Sequence, residues 1–352
     1  MNDCSVVIIG SGLSGLTSAF ELLKNDIDFT VLEVKKEPGG RIQTERSGLI
    51  GEYGATWFGP QHTELIKLFN ETGVKAFEQF RAGKSTFYYD PKAQPHHYEY
   101  PEGESPSFRV ADGTDIIIQN LADRFRNKIQ FKKRVTSLEL VGDKVNIEVN
   151  DEEVLKADYV ITTIPPRLFS ERIHCVPEIS NDLMSIMSET PTWMSSSIKF
   201  IVSYQTPFWR KKGYSGSVLS QLGSVIEVYD HTDVHERNFA LMGFINPNFR
   251  SFSQGERIKA VLDFLVKSLG EEAANYKTYK EKDWSGDEFV FTKGEERMIP
   301  KTNYGHPLYQ QKYMNGRLII SGTETSESFG GYMEGAVISG KRAAKKVIAA
   351  LS

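Results

Sequence analysis

The sequence predicts an α/β fold, a mostly parallel sheet between helices with a smaller α+β unit inserted into it. Three observations carry that prediction. The chain opens on a strand, a glycine-rich turn, a helix and a second strand that ends on an acid. It closes on a strand, another glycine-rich loop and an amphipathic helix. Between them lie alternating, half-exposed segments and a separate set of strand-like runs.

The opening run Ser5-Val6-Val7-Ile8-Ile9 is apolar and β-branched, the pattern of a strand buried on both faces. Gly10-Ser11-Gly12-Leu13-Ser14-Gly15 follows, and Leu13, Leu16, Phe20 and Leu23 recur at helical spacing. Phe29-Thr30-Val31-Leu32 reads as the second strand and ends on Glu33. Gly10 permits the tight turn, Gly12 lets backbone approach a pyrophosphate, and Gly15 lets helix and strand pack closely. The helix N-terminus, with Leu13 and Ser14, offers free N–H groups and partial positive charge to phosphates. Glu33 can accept hydrogen bonds from ribose hydroxyls, and its charge repels a 2′-phosphate, which argues against NADP.

Beyond the second strand, Pro38-Gly39-Gly40-Arg41-Ile42-Gln43-Thr44 joins paired glycines to a cation suited to a cofactor's phosphates. Gly51-Glu52-Tyr53-Gly54-Ala55-Thr56-Trp57-Phe58-Gly59-Pro60 comes next. The series GxGxxG, glutamate, GGRxxT resembles a large group of FAD proteins. That likeness selects FAD over NAD and implies that Gly40, Arg41, Gly54, Ala55 and Thr56 contact it.

At the far end, Arg317-Leu318-Ile319-Ile320-Ser321 reads as a strand, followed by Gly322-Thr323-Glu324-Thr325. Gly330-Gly331-Tyr332-Met333-Glu334-Gly335 then opens a helix whose stripe is Met333, Ala336, Val337, Gly340, Ala344 and Val347. These runs resemble the C-terminal flavin motif of the flavin-containing amine oxidases, the monoamine oxidase family. The resemblance implies that Gly322, Thr323 and Glu324 lie by the ribityl phosphate. It also places Gly331 and the Met333 backbone by the flavin ring, and makes Tyr332 an aromatic wall for a substrate amine.

In the middle, Lys144-Val145-Asn146-Ile147-Glu148-Val149 reads as a half-exposed strand, and Ala157–Thr163 resembles the strand returning to the nucleotide domain. Val135 matches the position whose backbone holds adenine in the family. Ser197-Ile198-Lys199-Phe200-Ile201-Val202 resembles the strand that carries a lysine water-bridged to flavin N5, with Lys199 in that place. Ile198 and Phe200 should face away from it. Met242-Gly243-Phe244-Ile245 and Trp284 also match the family pattern.

Composition excludes several classes. Of 352 residues, 39% are hydrophobic and the net charge is −4, which leaves no basic footprint for nucleic acid or an anionic membrane. No run approaches the length that spans a bilayer, and neither a leader before Val6 nor an anchor after Ser352 is expected. Two cysteines, Cys4 and Cys175, offer no disulfide framework, and free thiols fit a cytoplasmic protein. His231 and His235 are four apart beside acids, yet no third ligand is evident and no metal is expected. His96-His97 reads as surface.

Three departures from the family pattern bear on chemistry. Phe289-Val290-Phe291-Thr292-Lys293-Gly294 stands where some members carry a cysteine that binds FAD, so FAD should be non-covalent. The same run lacks the tyrosine that forms the second wall of the substrate cage, opposite Tyr332. The stretch before Arg109-Val110-Ala111-Asp112-Gly113 is short, which implies a reduced helical roof and a pocket that is shallower or completed by a partner or second subunit.

The expectation is therefore an FAD/NAD(P)-binding Rossmann-like domain from 1–60, 109–186 and 284–352. A smaller α+β substrate domain would come from 61–108 and 187–283. The leading function is an FAD-dependent oxidase taking hydride from the C–H beside an amine nitrogen, with O2 as acceptor, and with Lys199 and Tyr332 as catalytic residues. Two alternatives stand beside it: a dehydrogenase or desaturase acting on a C–C bond, and a flavin-holding interaction protein with little turnover. Neither nucleic acid nor membrane is expected as a partner, and a homo-oligomer stays open.

Overall fold

The computed structural model describes residues 3–90 and 94–352, with only the backbone of Asp3 and Cys4. Strand β1 (Asp3–Ile9), helix α1 (Leu13–Leu23) and strand β2 (Phe29–Glu33) form the βαβ unit, with β1 parallel to β2. Val6, Val7 and Ile8 are fully buried, as an apolar run between two helical layers should be. The 10-residue strand Glu153–Thr162 joins the two halves of the large sheet. Its last residues run parallel to β1 on one side and to Leu318–Ile320 on the other. Its first residues pair antiparallel with Lys144–Val149, beyond which lie Val135–Val141 and His174–Val176. Ile129–Phe131 closes the opposite edge beside β2.

One face of this sheet packs on α1 and on the last helix, Met333–Leu351, through Leu16, Phe20, Val337 and Ala344. The two helices approach closely at small residues: Ser18 Oγ donates to the Gly340 carbonyl at 3.0 Å, and Ser14 Oγ lies 3.1 Å from Ser339 Oγ. Val7, Val160, Phe169, Leu183 and Ile320 fill the other face. Cys175 is free and buried there, and burial pushes its thiol up to about 12. The side chain of Cys4 lies outside the described residues.

The second sheet runs Thr278–Asp283, Ile198–Tyr204, Phe239–Ile245, Val225–Asp230, Tyr214–Ser220, Lys84–Tyr88, His96–Tyr98. Helix Gln254–Leu269 covers one face, started by a capping box in which Ser253 and Glu256 satisfy each other's backbone N–H. Ile198, Phe200 and Val202 point into that packing, whereas Ile201, Met242 and Phe244 face the opposite way, with Trp284 and Tyr53.

The span 61–108 needs correction as a single piece of the second unit. Helix Thr63–Thr72 buries Leu65, Leu68 and Phe69 in the same core as α1. Glu334 accepts the N–H groups of Glu64 and Leu65 at 3.0 and 2.7 Å, so a carboxylate of the last helix caps its positive end. Among the described residues of this span, only Lys84–Tyr88 and His96–Tyr98 join the second sheet. Met187 likewise packs into the first unit. Among the described residues, no helix is long and apolar enough to cross a membrane.

Candidate active site

The carboxyl ends of β1, β2, Glu153–Thr162 and Leu318–Ile320 open onto one elongated cavity of about 530 Å³, the crevice where open α/β sheets take ligands. Gly10 turns the chain out of β1 at φ +102°, a conformation that a side chain would strain. A Cβ on Gly15 would run into the Gly10 carbonyl oxygen, so glycine sets how closely α1 approaches the strand. Gly12 instead faces open space in the lining.

Helix α1 and the last helix both begin at this cavity, N-capped by Gly12 and Tyr332, and neither has a side-chain cap. Their first N–H groups therefore lack intrahelical partners, which makes each an anion-binding end. Two such ends on one elongated cavity, with open space over Gly12, fit a pyrophosphate-bearing dinucleotide.

At one extremity Glu33 and Val135 line the cavity with the cations Lys35, Lys133 and Arg134. Glu33 is held in place: Oε2 accepts from the Ser11 N–H and hydroxyl at 2.8 and 2.6 Å, and Oε1 from the Lys35 N–H at 2.9 Å. Oε2 has both acceptor sites filled by Ser11, and Oε1 keeps one for a ribose hydroxyl.

At the other extremity Lys199 is 3% exposed and donates to the Gly54 carbonyl at 2.6 Å and to Thr56 Oγ1 at 2.7 Å. Its ammonium lies 5.5 and 5.1 Å from the ring centroids of Trp57 and Phe244. Burial lowers the Lys199 amine to about 7, against the attraction of Glu52 and, more weakly, Glu227. Burial likewise raises Glu52 to about 7, although it accepts the Thr114 N–H at 2.8 Å. Near neutrality this pair is short of full charge on both members.

Tyr332 also lines the cavity, and the ring standing by it is Trp193, at 6.1 Å between centroids and tilted by 40°. Lys301 holds its ammonium 4.6 Å from the Tyr332 ring centroid and 4.8 Å from that of Trp193. The geometry suits a cation. Of the run Phe289–Gly294, Phe289 and Val290 line the cavity. Trp284 lines the same region and donates from Nε1 to the Tyr53 carbonyl at 2.8 Å.

Of the site residues named from the sequence, Gly10, Gly12, Leu13, Ser14, Glu33, Gly40, Arg41, Gly54, Ala55, Thr56, Val135, Lys199, Trp284, Gly322, Thr323, Gly331, Tyr332 and Met333 all line this cavity. Gly15 lies behind the turn. Glu324 is a correction: it is fully buried and outside the lining, because the short turn Thr323–Thr325 aims it inward. There it clasps Arg41 with both oxygens and accepts the Trp193 N–H at 3.1 Å. Glu324 thus positions a lining cation and a lining ring from behind.

His231 and His235 diverge. His231 is buried, with Nε2 accepting the Glu52 N–H at 3.2 Å and Nδ1 lying 2.9 Å from Arg109, whereas His235 is exposed beside Asp112. Burial first, then the charges of Arg109 and Lys199, hold the His231 ring well below its usual range and neutral. His96 and His97 sit exposed on the short edge strand.

Three lining residues carried no signal. Trp193 sits in a loop without periodicity. Glu227 and Tyr229 share a face of Val225–Asp230, a short strand with a bulge between Val225 and Glu227. Tyr229 donates to Glu227 at 2.6 Å and meets Trp57 edge-on at 4.8 Å.

A βαβ unit, two bare helix ends and a buried amine on a single cavity define a dinucleotide-binding protein with a reaction site at one end. The chain belongs to the family described as flavin containing amine oxidoreductase, which it matches over residues 13–95 and 88–348. It is similar to the flavin-containing amine oxidase of Danio rerio, 25% identical over 459 aligned residues covering 99% of this chain and 87% of that protein. A probable flavin-containing monoamine oxidase A of Dictyostelium discoideum is 25% identical, with 97% of each chain covered. The Danio rerio alignment needs 459 positions for a chain of 352 residues, so the relative carries more than a hundred positions absent here. Among solved structures, wild-type putrescine oxidase bound to putrescine superposes with a TM-score of 0.87 at 21% identity, covering 99% of both chains. Cyclohexylamine oxidase from Brevibacterium oxydans superposes with a TM-score of 0.87 at 20% identity, covering 99% of this chain and 100% of that one. These two likenesses establish the fold.

Proposed function

We propose that this protein is an FAD-dependent amine oxidase, with FAD held non-covalently along the cavity. Net, a primary amine, O2 and water yield a carbonyl compound, ammonia and hydrogen peroxide. Bound FAD supplies the acceptor for hydride and hands the electrons to O2. The observation that carries the reading is Lys199, a buried amine fixed at the Gly54–Thr56 segment in the same cavity as Tyr332.

The chain's own residues have separable tasks. The bare ends of α1 and the last helix, with Arg41, meet the dinucleotide's anionic groups. Glu33 takes a ribose hydroxyl. Non-covalent retention is supported by a lining that contains no cysteine among the described residues. Lys199 uses two donors on Gly54 and Thr56 and keeps its remaining site for a water or a substrate atom. Tyr332 and Trp193 present rings that hold the Lys301 ammonium, and a substrate amine would meet them where Lys301 gives way. Trp57, Phe244 and Tyr229 exclude water from the reacting end.

The test is an amine panel run with purified protein, reading peroxide and carbonyl product together. Equimolar formation of the two from at least one amine is expected. Absence of both across aliphatic, aromatic and polyamine substrates would overturn the proposal.

A further inference from the structure

We propose a second ligand site, for a small organic monocarboxylate, built on the buried guanidinium of Arg109. The site goes beyond the amine-oxidation reading and does not depend on it. A cavity of about 520 Å³, sharing no lining residue with the cofactor cavity, is lined by Phe77, Phe80, Tyr100, Arg109 and Thr232. Arg109 lies on Phe108–Val110, the middle strand of a three-stranded sheet, opposite Trp57 on one neighbour and Phe77 on the other. Residues paired across antiparallel strands share a face, and the guanidinium lies 4.6 Å from the centroid of the Phe77 ring. Trp57 Nε1 donates to Gln79 Oε1 at 2.9 Å, and Gln79 lines the second cavity, so this contact divides the two.

Arg109 is 5% exposed, and among the described residues no carboxylate stands within 4.0 Å of its guanidinium. One N–H reaches the Thr232 carbonyl, and another faces Nδ1 of His231 at 2.9 Å. A neutral imidazole accepts at one nitrogen, and His231 already takes the Glu52 N–H at Nε2, so its Nδ1 satisfies Arg109 poorly. Arg109 Nε has no partner, and neither has Thr232 Oγ1. Burial lowers the guanidinium to about 10, against the attraction of Asp230 and Glu52, which leaves it charged at neutral pH. A buried cation with unmade hydrogen bonds is costly unless a ligand brings both acceptor and charge.

The neighbouring charges are already committed. Arg210 forks onto Asp230 and meets Glu236 at 2.7 Å. Arg81 lies between Glu78 and Glu104, at 3.8 and 3.7 Å. Asp233 accepts the N–H groups of His235, Arg237 and Asn238 in its own loop. The remainder is a positive charge at the buried end, with Glu78, Glu104 and Glu236 exposed at the mouth. A single carboxylate matches the guanidinium fork, whereas dicarboxylates and phosphates carry further charge past those acids. Phe77, Phe80 and Tyr100 suit a flat apolar body behind the carboxylate.

Calorimetry on FAD-loaded protein compares benzoate with benzamide, its neutral counterpart, and with succinate and inorganic phosphate. A single benzoate should bind per chain, more tightly than any of the other three. Arg109→Gln should weaken benzoate by about 10- to 100-fold, as loss of a hydrogen bond to a charged group implies. Val234 is exposed in the lining, so Val234→Lys and Val234→Glu change the charge at the mouth and leave the core intact. The first should tighten benzoate and the second weaken it, and this pair decides the matter if Arg109→Gln does not fold. The flavin absorbance should keep its bands throughout the titration. No benzoate binding at millimolar concentration, equal affinity in wild type and Arg109→Gln, or no difference between the Val234 variants overturns the inference. Benzamide binding as tightly as benzoate does the same. A flavin spectrum that shifts in step with binding in wild type and Arg109→Gln alike places benzoate in the cofactor cavity, and also overturns it.

Discussion

Replacing Lys199 with Met keeps the length of the side chain and removes its nitrogen, and the consequences for stability can be worked through. Burial lowers this amine from 10.5 to about 7 in the native protein. The unfolded chain keeps the ordinary value, so between pH 7 and 10.5 it binds a proton that the native state does not. Stability contributed by Lys199 is therefore full above 10.5, and is lost as pH falls toward 7. Each pH unit inside that window is worth at most about 1.4 kcal/mol, so raising pH from about 7 to about 9 should add at most about 3 kcal/mol to wild type through Lys199. Glu52, raised to about 7 by burial, contributes in the opposite direction only below that pH, whereas Lys346, lowered to about 8 by burial, shares the alkaline arm from about pH 8 upward. Urea unfolding of FAD-loaded protein at several pH values gives the curve. Wild type should gain stability on the alkaline side, and Lys199→Met should gain less, most visibly between about pH 7 and 8 where Lys346 does not yet contribute, while retaining FAD. Parallel curves for the two proteins would refute the burial argument. Stopped-flow rates of flavin reduction and reoxidation should show at least one half-reaction slowed in Lys199→Met, and unchanged rates in both would remove Lys199 from the reacting end.

Three further outcomes follow from the site. Gly15→Ala drives a methyl group into the Gly10 carbonyl, so it should cost about 1–3 kcal/mol and reduce the flavin retained after purification. Glu324→Gln leaves the part-buried Arg41 fork without its counter-charge, and should destabilise by about 2 kcal/mol or more with weakened FAD binding, read by thermal unfolding and flavin titration. Acid precipitation should release yellow FAD into the supernatant, because Cys175 lies outside the cavity lining and no lining residue among those described is a cysteine; flavin kept in the pellet would contradict non-covalent binding.

Much of this site was legible because local rules sufficed. The glycine turn and the acid ending β2 follow from βαβ geometry, and both line the cavity as read. Strand alternation separated Lys199 from Ile198 and Phe200, and the structure puts them on opposite faces. What stayed hidden depends on tertiary placement. Trp193 reaches Tyr332 from a loop whose position is set by Glu324, a contact across 131 residues of sequence. Glu324 itself was misread because its motif is adjacent to cavity residues, while the turn at Thr323–Thr325 rotates its carboxylate away. Thr63–Thr72 was assigned to the second unit by chain position, although its apolar stripe finds cover on the first. Glu227 looks like an ordinary outward acid in a strand until the cavity appears beneath it.

The central claim is that this cavity couples an amine to FAD, and anaerobic titration of the purified flavoprotein with amines tests it most directly. The visible flavin absorbance should bleach with amine in the absence of oxygen and return on admitting air, with peroxide formed in proportion. A flavin that stays oxidised under every amine tried, including polyamines, would contradict the account.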